Sequence, residues 1–327
     1  MGSERAESMM AMGSVRIPEE GNGTVRPLRV DPSRCSRMRY SGSRCERCVS
    51  ACPRSAIRLD ECLDVLEERC TGCLTCTTVC PAGALEAEAD FDRLIRGLAS
   101  HPLPTLVVGC GKSGSPSDRQ LPCLGMLSAE HLVALSASGE AIVQLDASAC
   151  NGCDAGGMYQ HLTARLRKTE EESGLPLGSR IRLIPDAKEI DFRQESLDRR
   201  GFFRSFRRLA VQGMTTVLAP PSTERKAMSY MDKYLPTRRA MLLAALAALS
   251  PETAQGVRDA FSFPIAFGTS CDGCLGCVRV CPSAALYDSG TFGSEPSVPR
   301  FDPERCTGCG LCAEFCLSEA IRMDPAG

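Results

Sequence analysis

Two stretches decide the reading: Cys271-Asp272-Gly273-Cys274-Leu275-Gly276-Cys277-Val278-Arg279-Val280-Cys281-Pro282, and Cys306-Thr307-Gly308-Cys309-Gly310-Leu311-Cys312-Ala313-Glu314-Phe315-Cys316. In each, two residues separate the first three cysteines and three more precede the fourth. The spacing recurs upstream at Cys70, Cys73, Cys76 and Cys80-Pro81. It returns in stretched form at Cys35, Cys45, Cys48 and Cys52-Pro53, with nine residues between the first two cysteines. The flanks repeat as well. Val30-Asp31-Pro32-Ser33-Arg34 and Phe301-Asp302-Pro303-Glu304-Arg305 precede a first cysteine, while Ser55-Ala56-Ile57-Arg58-Leu59 and Glu319-Ala320-Ile321-Arg322-Met323 follow a last one. The chain therefore contains an internal repeat, present as two pairs.

The rest of the composition is ordinary for a globular protein. The 327 residues are 43% apolar and 24% charged, enough length for about two or three domains. With 38 basic and 40 acidic residues the net charge is -2, so no global field marks a nucleic-acid or membrane-surface binder. Twenty-one cysteines beside three histidines and no tryptophan set the chain apart. A disulfide framework normally accompanies a secretory signal, and residues 1–30 carry no apolar core after a basic start. The longest apolar run, Ala240 to Leu249, is ten residues, against the roughly 20 needed to span a bilayer. A cytoplasmic protein with no transmembrane segment and no nucleic-acid partner is expected, and in reducing surroundings dense cysteine points to metal.

The four blocks resemble the bacterial dicluster ferredoxin family, whose run is C-x2-C-x2-C-x3-C-P. Three thiolates on a tight turn can grip three iron corners of a 4Fe-4S cubane, and the fourth must come from elsewhere. The resemblance implies that the cysteine before proline turns away and ligates the other cluster of its pair, with proline keeping the chain extended behind it. One set is then Cys70, Cys73, Cys76 with Cys52, and a second is Cys35, Cys45, Cys48 with Cys80. The C-terminal sets are Cys271, Cys274, Cys277 with Cys316, and Cys306, Cys309, Cys312 with Cys281, which makes four 4Fe-4S clusters.

Two departures stand out. The nine residues after Cys35 make either an inserted loop around an ordinary cluster or a site reduced to 3Fe-4S or short of a ligand; the matching flank before Cys35 favours the loop. Leu317 stands where the run has proline. Zinc is the alternative for paired C-x2-C motifs. It usually takes two well-separated pairs, whereas four cysteines packed into one block and repeated with Cys-Pro fit cubanes.

Cys62, Cys110, Cys123, Cys150 and Cys153 remain. Thr105-Leu106-Val107-Val108 is an apolar run ending at Gly109-Cys110, Ala141-Ile142-Val143-Gln144-Leu145 is another that leads to Cys150-Asn151-Gly152-Cys153, and Ile181-Arg182-Leu183-Ile184 is a third. Met126 to Ser138 and Met158 to Glu172 carry apolar residues at helical spacing. This order predicts a small parallel-sheet α/β domain, with Cys110 and Cys150 at carboxyl ends of strands, where ligands sit in such sheets. About residues 103–165 the chain resembles the iron-sulfur delta subunit of methyl-viologen-reducing hydrogenases, which passes electrons between hydrogenase and heterodisulfide reductase. The resemblance rests on Gly109-Cys110, on Leu121-Pro122-Cys123-Leu124-Gly125 and on the pair Cys150 and Cys153. It departs where Lys112 and Ser113 replace a second cysteine and where the final pair is closer. It implies a 2Fe-2S cluster on Cys110, Cys123, Cys150 and Cys153; structural zinc and metal-free thiols are the alternatives.

A phosphate loop at Gly109-Cys110-Gly111-Lys112-Ser113 is broken, because Leu106 stands where glycine is required. Cys62 has no spacing partner and is expected to be a small buried residue. His101, His131 and His161 are expected to be solvated or core residues.

From Arg199 to Arg239 ten basic residues face only Glu224 and Asp232, a net of +8. Phe202, Phe206 and Leu209 share a helical face opposite Arg204, Arg207 and Arg208, which predicts a basic amphipathic helix. A second helix is expected from Thr237 as N-cap to before Pro251. The segment 199–239 is either a solvated connector or a docking surface for an acidic redox partner.

The expected architecture is α+β and α/β multidomain: a flexible N-terminal tail (1–29), a ferredoxin-like dicluster domain (30–95), the α/β domain (100–190), a basic helical connector (191–260) and a second dicluster domain (261–327). The expected function is a non-catalytic electron-transfer subunit of an anaerobic redox complex, because no Ser-His-Asp set, paired catalytic carboxylates or flavin fingerprint is visible. The alternatives are a reductase that uses the middle cysteines as a dithiol or substrate site, and a cluster-delivery scaffold.

Overall fold

The computed structural model describes residues 27–193, 230–288 and 298–323. The first unit contains β1 (Leu28–Val30), α1 (Ser36–Arg39), α2 (Arg47–Ser50), β2 (Ile57–Leu59), β3 (Leu63–Val65), α3 (Thr75–Val79) and β4 (Leu85–Ala87). Its outer strands β1 and β4 pair antiparallel with Val30 opposite Leu85, and β2 and β3 form a hairpin with Ile57 opposite Val65. Alternation buries Ile57 and Leu59 and turns Arg58 outward, so the strands lie over a core that includes Cys35, Cys48, Cys76 and Cys80. Cys62 lies in the β2–β3 turn and is exposed. The expectation of a buried residue is corrected here, because the alternation that buries Leu59 and Leu63 leaves the turn between them in solvent.

The second unit follows the chain through α4 (Phe91–Ala99), β5 (Thr105–Cys110), β6 (Arg119–Leu121), α5 (Ala129–Ala137), β7 (Ile142–Asp146), α6 (Met158–Ser173), α7 (Leu177–Arg180) and β8 (Ile181–Ile184). The strands stand in the order β6-β5-β7-β8, all parallel. Leu106, Val107, Val108, Val143 and Leu145 are buried, the near-continuous apolar runs of a sheet covered on both faces. The strands and helices read from periodicity are present. The short edge strand β6 is additional; its Arg119 and Gln120 are exposed, so it carries no apolar signature.

Two helices, α8 (Thr237–Leu246), which begins within the end of the basic segment, and α9 (Pro251–Ala260), pack on this unit, α8 against α5 and α9 against α6. Met241, Leu242, Ala254 and Val257 thereby share one core with Leu132 and Leu162. Thr237 is the first helical residue and Pro236 occupies the cap; the Thr237 amide donates to Glu86 Oε1 at 2.7 Å. Three of the ten basic residues are committed within the fold. Arg238 pairs with Glu130 at 2.9 Å, Lys233 donates to the Val278 carbonyl, and buried Arg239 donates to the carbonyls of Glu304, Phe261 and Pro303. The expected amphipathic helix of Phe202, Phe206 and Leu209 with Arg204, Arg207 and Arg208 lies outside the described residues.

The last unit repeats the plan of the first with β9 (Ile265–Phe267), α10 (Gly276–Val280), β10 (Leu286–Tyr287), β11 (Arg300–Phe301), α11 (Leu311–Phe315) and β12 (Ile321–Met323). Again the outer strands pair, Ile321 opposite Phe267, and so do the inner two, Leu286 opposite Phe301. Among the described residues no helix is long and apolar enough to cross a membrane.

The first and second units meet at Gly125. A Cβ there would lie 2.3 Å from the Cys73 carbonyl oxygen and 2.8 Å from the Met158 sulfur. Gly125→Ala should therefore destabilise the protein by about 1–3 kcal/mol, whereas Gly152→Ala, with nothing within 4 Å of the added carbon, should leave it unchanged. Denaturant unfolding of the two variants checks this, and equal midpoints would contradict the close approach.

Candidate metal centres

The cysteine loops owe their shape to left-handed residues. In the second block Gly72 and Leu74 have φ of 67° and 60°, in the third Gly273 and Leu275 have 70° and 56°, and in the fourth Gly308 and Gly310 have 64° and 79°. Each pair curls the chain around the first three cysteines before a helix begins. The first block lacks this pattern: Arg44 stands at the glycine position, and Glu46, which precedes α2, has φ of -130°.

A second left-handed residue follows every block. Ser55, Gly83, Ala284 and Glu319 each lie three positions past the fourth cysteine, with φ between 47° and 69°. In three blocks the next amide points back at the cysteine. Ala56 donates to Cys52 Sγ at 3.3 Å, Ala84 to Cys80 Sγ at 3.2 Å and Ala320 to Cys316 Sγ at 3.3 Å. Cys316 keeps this geometry although Leu317 follows it.

These turns send each fourth cysteine of the first unit away from its own block. Cys80 lines one cavity with Cys35, Cys45 and Cys48, among Leu59, Leu63 and Leu85. Cys52 lines another with Cys70, Cys73 and Cys76, beside Ile57 and Val65. Burial first, and then the charges of Cys80, Cys35 and Cys45, push the Cys48 thiol up to about 12. Burial, and then Cys73 and Cys70, raise Cys76. Thiols held this close cannot all ionise alone; a bound cation would let them do so.

In the last unit burial, then Cys281, Cys312 and Cys306, raise Cys309, and burial, then Cys281 and Cys306, push Cys312 up to about 12. Cys281 is therefore beside the fourth block. Burial, opposed by the Val278 amide, then Cys274 and Cys271, push Cys277 up to about 11. Cys316 lies at the end of α11, and the Phe315 ring before it lies against Gly276, next to Cys277.

Three hydroxyls test the fit of a sulfide-bearing group. Ser36, Thr71 and Thr307 each follow the first cysteine of a block, and their oxygens are buried without a hydrogen-bond partner. Leaving such a group unsatisfied costs about 1–3 kcal/mol, and a cluster sulfur is an acceptor of suitable chemistry. The thiols also line open cavities rather than packing against one another. The donor sets fit iron-sulfur clusters.

The middle cysteines come together as well. Cys110 ends β5, Cys123 follows β6, and Cys150 and Cys153 follow β7, and all four line one cavity at the carboxyl end of the sheet. Cys73, with Thr71 and Gly72, closes the same cavity from the first unit. No spacing argument points to that fifth thiol, because Cys73 belongs to another block. Burial, opposed by the Gly125 amide, then Cys110, Cys73 and Cys153, push Cys123 up to about 12. Burial, then Cys110 and Cys153, push Cys150 up to about 11. Lys112 Nζ lies 3.1 Å from Asp154 and 3.7 Å from Cys153 Sγ, so its ammonium faces the cysteine site.

Buried Asp146, at the end of β7, ties two of these loops together. Its carboxylate accepts from the Ser113 hydroxyl on one side, and from the Ser148 hydroxyl and amide at 2.5 and 3.0 Å on the other. Burial acts to raise its pKa, but these bonds hold it below the usual carboxylate range. The histidines stay apart from the cavities: His131 is buried, caps α5 with Ser128 and packs on Phe91, His101 bonds the Thr105 carbonyl, and His161 is exposed.

A family model for the 4Fe-4S dicluster domain matches residues 42–84 and 270–320. Over 56 residues the chain is 41% identical to one component of the Na(+)-translocating ferredoxin:NAD(+) oxidoreductase complex of Acetobacterium woodii, covering 16% of this chain and 15% of that protein. Over 62 residues it is 36% identical to pyruvate synthase subunit PorD of Thermotoga maritima, covering 19% of this chain and 58% of that protein. Over 40 residues it is 48% identical to the electron transport protein HydN of Escherichia coli, covering 12% and 23%. The chain thus spans between 15% and 58% of the length of these relatives. No solved structure matches it. The chain carries 4Fe-4S dicluster domains at two places, which imply 4Fe-4S clusters, and residues 103–165 lie outside both matches.

Asp146→Ala removes the tie between the loops of Cys110 and Cys150. If the middle cysteines hold metal, it should lower that content and leave the dicluster iron in place, as read by iron and sulfide quantitation with EPR. Unchanged content would show that the loops hold their cysteines without Asp146.

Proposed function

We propose that the chain is a multi-cluster electron relay, a cytoplasmic subunit of an anaerobic redox complex. Four 4Fe-4S clusters would be held by Cys35, Cys45, Cys48 and Cys80; by Cys52, Cys70, Cys73 and Cys76; by Cys271, Cys274, Cys277 and Cys316; and by Cys281, Cys306, Cys309 and Cys312. A 2Fe-2S cluster would sit on Cys110, Cys123, Cys150 and Cys153, in an α/β domain like the hydrogenase delta subunit. Each such cluster supplies a one-electron redox centre.

The crossed grouping of thiols carries this reading: Cys80 lines the cavity of the first block and Cys52 that of the second. The protein's part is to hold and tune. Buried leucines at the first site keep water from the thiols, and the amides of Ala56, Ala84 and Ala320 donate to sulfur. Hydrogen bonds to sulfur and solvent exposure set cluster potentials. The similarity to a pyruvate synthase subunit and to a component of a ferredoxin oxidoreductase complex supports a place among redox partners. With Lys233, Arg238 and Arg239 committed inside the fold, charge-steered docking falls to the basic residues between Arg199 and Lys226.

Fully reconstituted protein should contain about 18 iron atoms, from four cubanes and one two-iron cluster. Fewer than about 12 in a zinc-free sample would overturn the relay. Cys52→Ala should damage the EPR signal of the cluster held by Cys70, Cys73 and Cys76 and spare the one built on Cys35; the reverse would refute crossed ligation. Alkylation of the loaded protein should modify Cys62, and modification of Cys150 and Cys153 would point to a reductase dithiol instead.

A further inference from the structure

The nine residues between Cys35 and Cys45 lie at the contact between the first and last units. Residues 36–39 form α1, whose last residue, Arg39, reaches three parts of the chain. Its Nε donates to the Val280 carbonyl at 3.0 Å, its Nη1 to Ser33 at 2.8 Å and its Nη2 to Tyr230 at 2.8 Å. Val280 immediately precedes Cys281. The Tyr40 ring packs edge-on against Phe315, the residue before Cys316, with centroids 5.2 Å apart. The Arg44 amide donates to Glu314 at 3.2 Å, and Arg47 donates to the carbonyl of Gly308, next to Cys309. Gly42 leaves room for this arrangement, since a Cβ there would lie 2.5 Å from the Tyr40 ring.

We propose that the expanded Cys35–Cys45 segment is an electron junction, a bracket that seats the site of Cys35, Cys45, Cys48 and Cys80 against the site of Cys281, Cys306, Cys309 and Cys312. The inference rests on the relay reading above and adds an order to it. The middle cysteines share a cavity wall with Cys73, so the order runs from the middle set to the Cys70 set, then the Cys35 set, across the bracket to the Cys306 set, and on to the Cys271 set. The middle set and the Cys271 set are the two ends. Cys274 is exposed at the far end, where an external partner can approach. Through its bond to the Val280 carbonyl, Arg39 also places a positive charge beside Cys281, which favours the reduced state of that neighbour.

Three variants of the full chain test the bracket. Deleting residues 37–43 restores the two-residue spacing of the other blocks, while Tyr40→Ala and Arg39→Gln leave the spacing intact. Iron content and the individual EPR signals of the parent report on the relay reading itself; if they lack two dicluster sets, that reading fails first. With those sets present, pulsed dipolar EPR of the reduced parent should show a magnetic interaction between the two halves. The deletion and Tyr40→Ala should lose it while keeping the iron. Arg39→Gln should lower the potential of the Cys281-linked cluster, and Arg39→Lys should restore it. An unchanged interaction in both the deletion and Tyr40→Ala would overturn the junction, as would an unshifted potential in Arg39→Gln. If the deletion loses iron, the two point variants decide.

Discussion

Everything in this chain depends on a turn that sends a cysteine away from its own block. After each fourth cysteine a left-handed residue, Ser55, Gly83, Ala284 or Glu319, reverses the backbone. Only one of the four is glycine, and a non-glycine residue in that conformation costs about 1–2 kcal/mol. The structure keeps that cost at three places. What it gains in the first unit is a thiol delivered to the neighbouring cavity, and in three of the four turns a backbone amide is aimed at the sulfur. In that unit each cavity is lined by thiols of both blocks, so the strand pairs that bring the halves together also complete the thiol sets.

The same interdependence extends between units. Gly125 lies against the Cys73 carbonyl and admits no side chain there, which sets the middle cysteines against the second block. Arg34 is buried, donates to the carbonyls of Ala82 and Tyr234 and stacks on the Tyr234 ring at 3.6 Å. Arg239 does the corresponding work for the last unit through three carbonyl oxygens. Buried guanidinium groups that donate to carbonyls, with no carboxylate among these contacts, cost desolvation. They also fix geometry, because each fork satisfies acceptors on two segments at once.

Much of this was legible in the sequence because its signal is periodic. Cysteine spacing and repeated flanks mark the dicluster units, and apolar runs mark β5, β7 and β8. What escaped has a physical reason in each case. β6 is three residues long and polar at its exposed positions, so it has no hydrophobic pattern, yet it leads to Cys123. Cys73 borders the middle cavity through tertiary packing, which spacing cannot express. Cys62 looked like an apolar residue, but the hairpin turn places it in solvent. Arg238 and Arg239 belong to the basic run read as either a solvated connector or a docking surface, whereas both are drawn inward by acceptors far away in sequence. The hydroxyl that follows the first cysteine in three blocks was visible at Ser36, Thr71 and Thr307, and aligning the blocks would have found it.

Iron-edge anomalous diffraction from anaerobically grown crystals tests the five-site array most directly. Five separate iron peaks are expected, one within each thiol set. Cys52 should lie against the peak of Cys70, Cys73 and Cys76, and the fifth peak should fall between Cys73 and the middle cysteines Cys110, Cys123, Cys150 and Cys153. A middle cavity without iron, a zinc-edge peak in its place, or Cys52 bound to the peak of its own block would contradict the array.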